Sequence, residues 1–282
     1  MPTFDTPGPI TVALELLVGD ARITASERAD TVVEVRPSDE SSEADVKAAG
    51  QTRVEYAEGR LLVKTPKSWR RFGPSGNDGS VDVTIELPAG SHIRGDAALA
   101  ALRCEGRLGE CRITNAAGDI HLGHAGTLHA STATGAIIVD RVTGGTEVST
   151  GSGAVRIREI DGIAAVKNSN GDTWVGEVAG DLRVNAANGN ISVDRANAGV
   201  NASTANGSIR IGEVVRGTVA AKTAYGEVEI GIREGTAAWL DLHTSFGTVR
   251  NDLDAADSPG QGDDTVNVRA RTSFGDIIIR RS

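Results

Sequence analysis

The sequence between Asn115 and Ile230 repeats one short phrase seven times: NAAGDIHL (115–122), TATGAIIV (132–139), TGSGAVRI (150–157), NSNGDTWV (168–175), AANGNISV (186–193), TANGSIRI (204–211) and TAYGEVEI (223–230). Its glycines are Gly118, Gly135, Gly153, Gly171, Gly189, Gly207 and Gly226, so by subtraction the intervals are 17, 18, 18, 18, 18 and 19. A period near eighteen is too short for the common helical repeats and too regular for a sandwich or barrel. It specifies a solenoid of stacked β coils.

Read by column, the repeat shows which side chains are to be buried. Two and four residues after each glycine stand aliphatic side chains, Ile191 and Val193 in the fifth unit, with Thr173 the one polar exception. Between them lie His121, Ile138, Arg156, Trp174, Ser192, Arg210 and Glu229, a mixed set that fits the solvent side of an alternating strand. A second alternating strand precedes each glycine, as in Leu182 and Val184, and a further inward position follows at Ala125, Val142, Ile160, Val178, Ala196 and Val214, so each coil is expected to have three short sides. Gly109, Gly126, Gly144, Gly162, Gly180, Ala198 and Gly217 mark a second corner, read as needing positive φ. Asn115, Thr132, Thr150, Asn168, Thr204 and Thr223, interrupted by Ala186, form a polar column expected to hydrogen-bond along the axis.

The fold expected is therefore all-β: a single-chain β-solenoid, or β-helix, expected to be right-handed, with coils of about 18 residues. It reads as one elongated domain over 1–282, with irregular opening coils in 1–90, regular coils in 91–250, and an acidic loop and final coil in 251–282. ITVALELL, DARIT, TVVEVR, TRVEYA, RLLVKT and SVDVTIELP all alternate and read as the opening coils. Two insertions, PSDESSEADVKAAG (37–50) and PKSWRRFGPSGNDG (66–79), read as exposed loops, although ADVKAAG has the composition for a turn or two of helix. After Gly226 the repeat loosens, with two copies of TSFG at Gly247 and Gly275 around the acidic loop NDLDAADSPGQGDD.

The small-polar-Gly repeat, the SVDVTIELPAG step into it and the TSFGDIII ending resemble the bacterial putative-adhesin family of β-strand-repeat proteins of unknown function. That resemblance covers nearly the whole chain. It implies a single-chain β-helix and brings no catalytic residues with it.

Composition narrows the function classes. Of 282 residues 39% are hydrophobic but only 3% aromatic, and 35 are glycine, which suits a narrow interior of thin aliphatic layers. A net charge of -9 without a basic stripe argues against nucleic acid. The stretch MPTFDTPGPITVALELLVG has no Lys or Arg before its apolar part and contains Glu15, so neither a signal peptide nor a membrane span is expected and the chain reads as cytoplasmic. Cys104 and Cys111 are the only cysteines and are read as reduced thiols.

Candidate chemistry is sparse. His121, His124 and His129 lie close in sequence, but the column reading sends them to different strands and a corner, so no metal site and no cofactor are expected. A polysaccharide-acting β-helix enzyme needs paired carboxylates on neighbouring coils of one face. Asp119, Asp172 and Glu227 instead follow corner glycines and read as acceptors of local backbone hydrogen bonds.

The expected function is a non-enzymatic scaffold or adhesin-like binding module, with a self-assembling structural element and a polysaccharide-acting enzyme as the alternatives. Its partner is expected to be a protein or a glycan. Lys67, Trp69, Arg70, Arg71 and Phe72 combine positive charge with aromatic anchors and form the expected contact loop. The end of the chain is expected to be the solenoid's exposed edge, protected by Arg280, Arg281, the acidic loop and the aromatic residues Tyr225, Phe246 and Phe274. That protection is expected to keep the protein mostly monomeric, with weak end-to-end association.

Overall fold

Each repeat glycine adopts a backbone conformation that L side chains avoid, with φ between 125° and 151° from Gly118 to Gly226. Space is closed there as well: a Cβ on Gly189 would stand 2.1 Å from the Gly171 carbonyl oxygen of the preceding coil. The second corner differs from expectation. Of its glycines Gly217 alone has positive φ, at 96°. At Gly162 and Gly180 glycine is required by close stacking, since a Cβ on Gly162 would lie 2.5 Å from the Gly144 carbonyl and one on Gly180 2.7 Å from that of Gly162.

The computed structural model describes residues 1–66, 79–253 and 264–282. These form two compact units, Met1–Ile138 and Val139–Ser282. The first contains β1 (Thr3–Asp5), β2 (Thr11–Ser26), β3 (Asp30–Pro37), α1 (Glu43–Gln51), β4 (Arg53–Ala57), β5 (Arg60–Lys64), β6 (Val81–Pro88), β7 (His92–Arg107), β8 (Glu110–Ala117), β9 (Ile120–Ala125) and β10 (Thr127–Thr134). Strand β11 (Ile137–Val142) straddles the boundary. The second contains β12 (Thr146–Ser152), β13 (Val155–Ile160), β14 (Ala164–Asn170), β15 (Thr173–Val178), β16 (Leu182–Asn188), β17 (Ile191–Ala196), β18 (Val200–Ser203), β19 (Ile209–Val214), β20 (Gly217–Lys222), β21 (Val228–Ile232), β22 (Ala237–Phe246), β23 (Val249–Asn251), β24 (Thr265–Phe274) and β25 (Ile277–Arg281).

The regular coils are the β-solenoid that the columns specify. Strands pair in parallel with their equivalents one coil away, as in Leu182↔Val200 and Ile191↔Ile209. Every named aliphatic column is buried, and Arg156 and Arg210 are exposed. The five inward positions of a coil sit on two strands, and the last of them lies beyond a bend rather than on a third strand. In β17, Ile191, Val193 and Ala196 are all buried, and the pairing passes from Val193 to Arg195, so the strand bends where alternation breaks.

The polar column works differently from a ladder of side chains. Asn168 Nδ2 donates to the Gly171 carbonyl of its own corner at 2.9 Å and to the Gly153 carbonyl of the preceding one at 3.1 Å. Thr204 Oγ donates to the Gly189 carbonyl at 3.2 Å and Thr223 Oγ to that of Gly207 at 2.8 Å. A hydroxyl has one proton, which at Thr204 and Thr223 reaches back one corner, whereas an amide has two and serves both. The Gly171 carbonyl is thus already satisfied by Asn168, which explains why the next rung tolerates Ala186.

The opening of the chain is rearranged relative to its reading as simple coils. ITVALELL and DARIT form the single long strand β2, and GDAALAALRCEG (95–106), whose composition suits either a short helix or a strand, is strand within β7. β2 lies between β7 on one side and β5 with β6 on the other, so the coil read later in sequence is the outer one. TVVEVR and TRVEYA do not join the parallel stack: β3 pairs antiparallel with β6, β4 with β5, and β1 with β3. Connection length decides this. The turn between β4 and β5 is Glu58-Gly59, at φ 49° and 73°, a hairpin turn, and parallel pairing would need a far longer crossover. The first insertion folds in part into α1, whose N-cap Ser42 accepts from the Asp45 amide.

Candidate functional site

The end of the chain is not the edge of its unit. β24 lies parallel on β20, with Val219↔Val268 and Ala221↔Ala270, and β22 in turn lies on β24, with Leu240↔Val268 and Phe246↔Phe274. In the same way β25 is held between β21 and β23. The expected edge, TSFGDIIIRRS, is therefore enclosed on both sides, and the coil of β22 and β23 is outermost. The arginines face inward to the same fabric: Arg280 Nε donates to Glu229 at 2.7 Å, and Arg281 Nη1 donates to the carbonyls of Arg233 and Thr236, each at 2.9 Å. They hold the enclosed coil in place rather than guarding the outermost strand. The acidic loop, residues 254–263 in particular, lies outside the described residues, as do Lys67, Trp69, Arg70, Arg71 and Phe72.

What β22 and β23 present is mainly apolar. In β24 the inward residues Val266, Val268 and Ala270 are buried. One coil out, Ala238, Leu240 and Leu242 occupy the same columns and are only half-buried, because no described strand covers them. Trp239 is 68% exposed and Phe246 66%. The column before the corner glycines changes character along the unit. Asn188 Nδ2 donates to Asn170 Oδ1 and Asn206 Nδ2 to Asn188 Oδ1, each at 2.8 Å; then Tyr225, Phe274 and Phe246 stack with centroids 5.0 and 4.8 Å apart and planes within 7°. Phe246 ends this stack on the open coil.

The edge carries little unbalanced charge. Asp241 accepts from Arg271 Nη2 at 2.6 Å and Arg269 Nε at 3.3 Å, and these guanidiniums hold its carboxyl below the usual aspartate range. Neither Lys nor Pro, the residues that commonly blunt an edge, occurs in AAWLDLHTSF.

The other candidates do not converge. His121 and His129 are half-buried on β9 and β10 and His124 is exposed, and among the described residues no group of three or more His, Cys, Asp or Glu could hold a metal ion. Cys104 and Cys111 are buried free thiols; burial pushes both up, Cys111 to about 12. Two of the three post-glycine carboxylates accept backbone hydrogen bonds, from the next coil rather than locally: Asp119 Oδ1 from the Ala136 amide at 2.7 Å and Asp172 Oδ1 from that of Asn190 at 2.8 Å. At Glu227 it is the backbone amide that bonds across coils, donating to Ser208 Oγ at 3.2 Å. Asn190 continues the ladder to Ser208, and Asp276 makes the same bond to Thr248 in the outermost coil.

Residues 13–280 match the Toastrack DUF4097 family, and the chain belongs to it. The resemblance carried by the glycine repeat and the TSFGDIII ending thus leads to a family of β-helix-like proteins without an assigned function. No protein of curated function matches the chain. Among solved structures it is similar to a putative adhesin from Bacteroides fragilis NCTC 9343, at 13% identity over 100% of this chain and 95% of that one, with a TM-score of 0.35. A putative adhesin from Parabacteroides distasonis ATCC 8503 matches at 12% identity over 98% and 94%, with a TM-score of 0.31.

Sequence reasoning placed Tyr225, Phe246 and Phe274 at the edge and missed Trp239, Leu240 and Leu242. A signal was present: by subtraction Gly226, Gly247 and Gly275 are 21 and 28 residues apart, which breaks the eighteen-residue order.

Proposed function

We propose that the chain is a non-enzymatic β-solenoid scaffold that acts as an adhesin-like binding module. The observation that carries this reading is the occupation of Asp119 and Asp172. A glycosidase or lyase needs carboxylates free to exchange protons or bind a cation beside the substrate. Here Asp119 and Asp172 are spent on joining coils. Charged outward residues are joined across coils too, Arg195 to Glu213 at 2.6 Å and Arg141 to Asp161 at 2.9 Å, which makes the outer faces a fixed polar lattice.

The test is to incubate the full chain with homogalacturonan, alginate and chitin, following new reducing ends and unsaturated products while measuring retention on the same immobilised polymers. Retention of a polymer without product is the expected result. Release of product that is lost in Asp119→Asn or Asp172→Asn would overturn the reading in favour of a polysaccharide-acting enzyme.

A further inference from the structure

We infer that the outermost coil of the C-terminal unit is a dimerisation edge, on which β22 pairs antiparallel with β22 of a second copy of this chain. The inference does not depend on the binding-module reading. Ala237 donates its amide to the Asp264 carbonyl beneath it at 2.9 Å. In a strand, successive residues turn their backbone groups to opposite sides, so Ala238, Leu240 and Leu242 aim theirs away from β24. A row of such groups beside half-buried leucines is a template for another strand.

Register and charge select a second copy as the occupant. Antiparallel self-pairing with Leu242 opposite Leu242 keeps inward residues opposite inward residues, as a period of two demands. It sets Leu240 opposite Thr244 and Asp241 opposite His243, in both halves of the two-fold pair. The alternative register one step away puts Asp241 opposite Asp241 and His243 opposite Trp239, and so loses both Asp241–His243 pairs. The pairing is isologous and closes on itself. Among the described residues the other outer strands are poor templates: β1 and β23 have three residues each, and the five of β4 carry the Arg53–Glu55 ion pair on its exposed side. Association therefore stops at two copies and does not continue into a filament.

Light scattering coupled to size exclusion, over a dilution series of the full chain, tests this directly. The expected mass is twice 29.1 kDa at the upper concentrations, falling toward one chain on dilution. Leu242→Lys is expected to give the single-chain mass throughout with an unchanged circular dichroism spectrum. Ala238→Lys serves the same purpose if the first variant fails to fold, and His243→Asp is expected to shift dissociation to higher concentration by opposing two aspartates. Glu55→Lys on β4 is expected to leave the dimer intact. A wild-type chain that is monomeric throughout, a mass that grows beyond two copies, or a dimer that survives both lysine variants overturns the inference.

Discussion

The outer coil of the N-terminal unit and the outer coil of the C-terminal unit use the same inward columns but are finished in opposite ways. On β5, Leu61 and Val63 are fully buried, because β4 folds back along the strand. Beside it β6 is covered by β3, with Arg28 bridging Asp30 and Glu86, and α1 packs against both strands. On β22, Leu240 and Leu242 are half-buried and Trp239 and Phe246 stand in solvent. The difference lies in local turn chemistry rather than in the coil itself. A two-residue hairpin turn, a three-residue link and a capped helix supply cover at one edge, and nothing comparable is built among the described residues at the other.

The sharpest way to break this comparison is to place a charge in equivalent columns. Leu61→Asp buries an unpaired carboxylate and is expected to cost several kcal/mol, as are Ile157→Asp and Ile191→Asp in the regular coils, whereas Leu240→Asp is expected to cost less than about 1 kcal/mol. Urea unfolding at low protein concentration measures all four. Equal losses at Leu61 and Leu240 would mean that the outer coil of β22 is as well covered as that of β5.

A smaller effect separates interior from edge along the polar column. Asn168→Ala removes a buried amide that serves two corner carbonyls and is expected to cost about 1–3 kcal/mol, while Thr244→Ala is expected to cost less, since Thr244 is only half-buried and serves one carbonyl, that of Gly275. Comparable thermal melts for the two variants would contradict that ranking. The smallest effect belongs to the outward face, where Arg156→Asp is expected to fall within about 0.5 kcal/mol of wild type. Damage there on the scale of Ile157→Asp would reverse the assignment of inward and outward columns.

The regular coils were legible because burial in a solenoid is set by position within the period, and Ile157, Val184 and Val214 could be read without knowing what lies above or below. Corner chemistry was legible only in part. Glycine at Gly189 follows from φ, but at Gly162 it follows from the distance to the next coil, which a single unit does not reveal. The ends were the least legible. TSFG marks membership in a coil and says nothing of which coil lies above which, so Arg280 and Arg281 were read as an edge guard when they are tied to Glu229, Arg233 and Thr236 within it. The candidate edge was therefore recognised by its aromatic residues and assigned to the wrong strand.

The exchange of order between the last two coils has a kinetic side. Ala237–Asn251 emerges from the ribosome before Thr265–Arg281, yet the later segment takes the seat on β20 and β21 and the earlier one settles on top of it. Both segments carry TSFG, so the earlier one offers the vacant seat the same rung until its rival is synthesised. A chain halted after Asn251 is expected to seat Ala237–Asn251 on β20 and β21 and to close one layer short, and hydrogen exchange on such a truncated chain, with protection or its absence in Ala237–Asn251, checks it. In the folded unit Thr265–Arg281 lies between β20 and β21 on one side and β22 and β23 on the other, so it is the layer that binds the outermost coil to the rest.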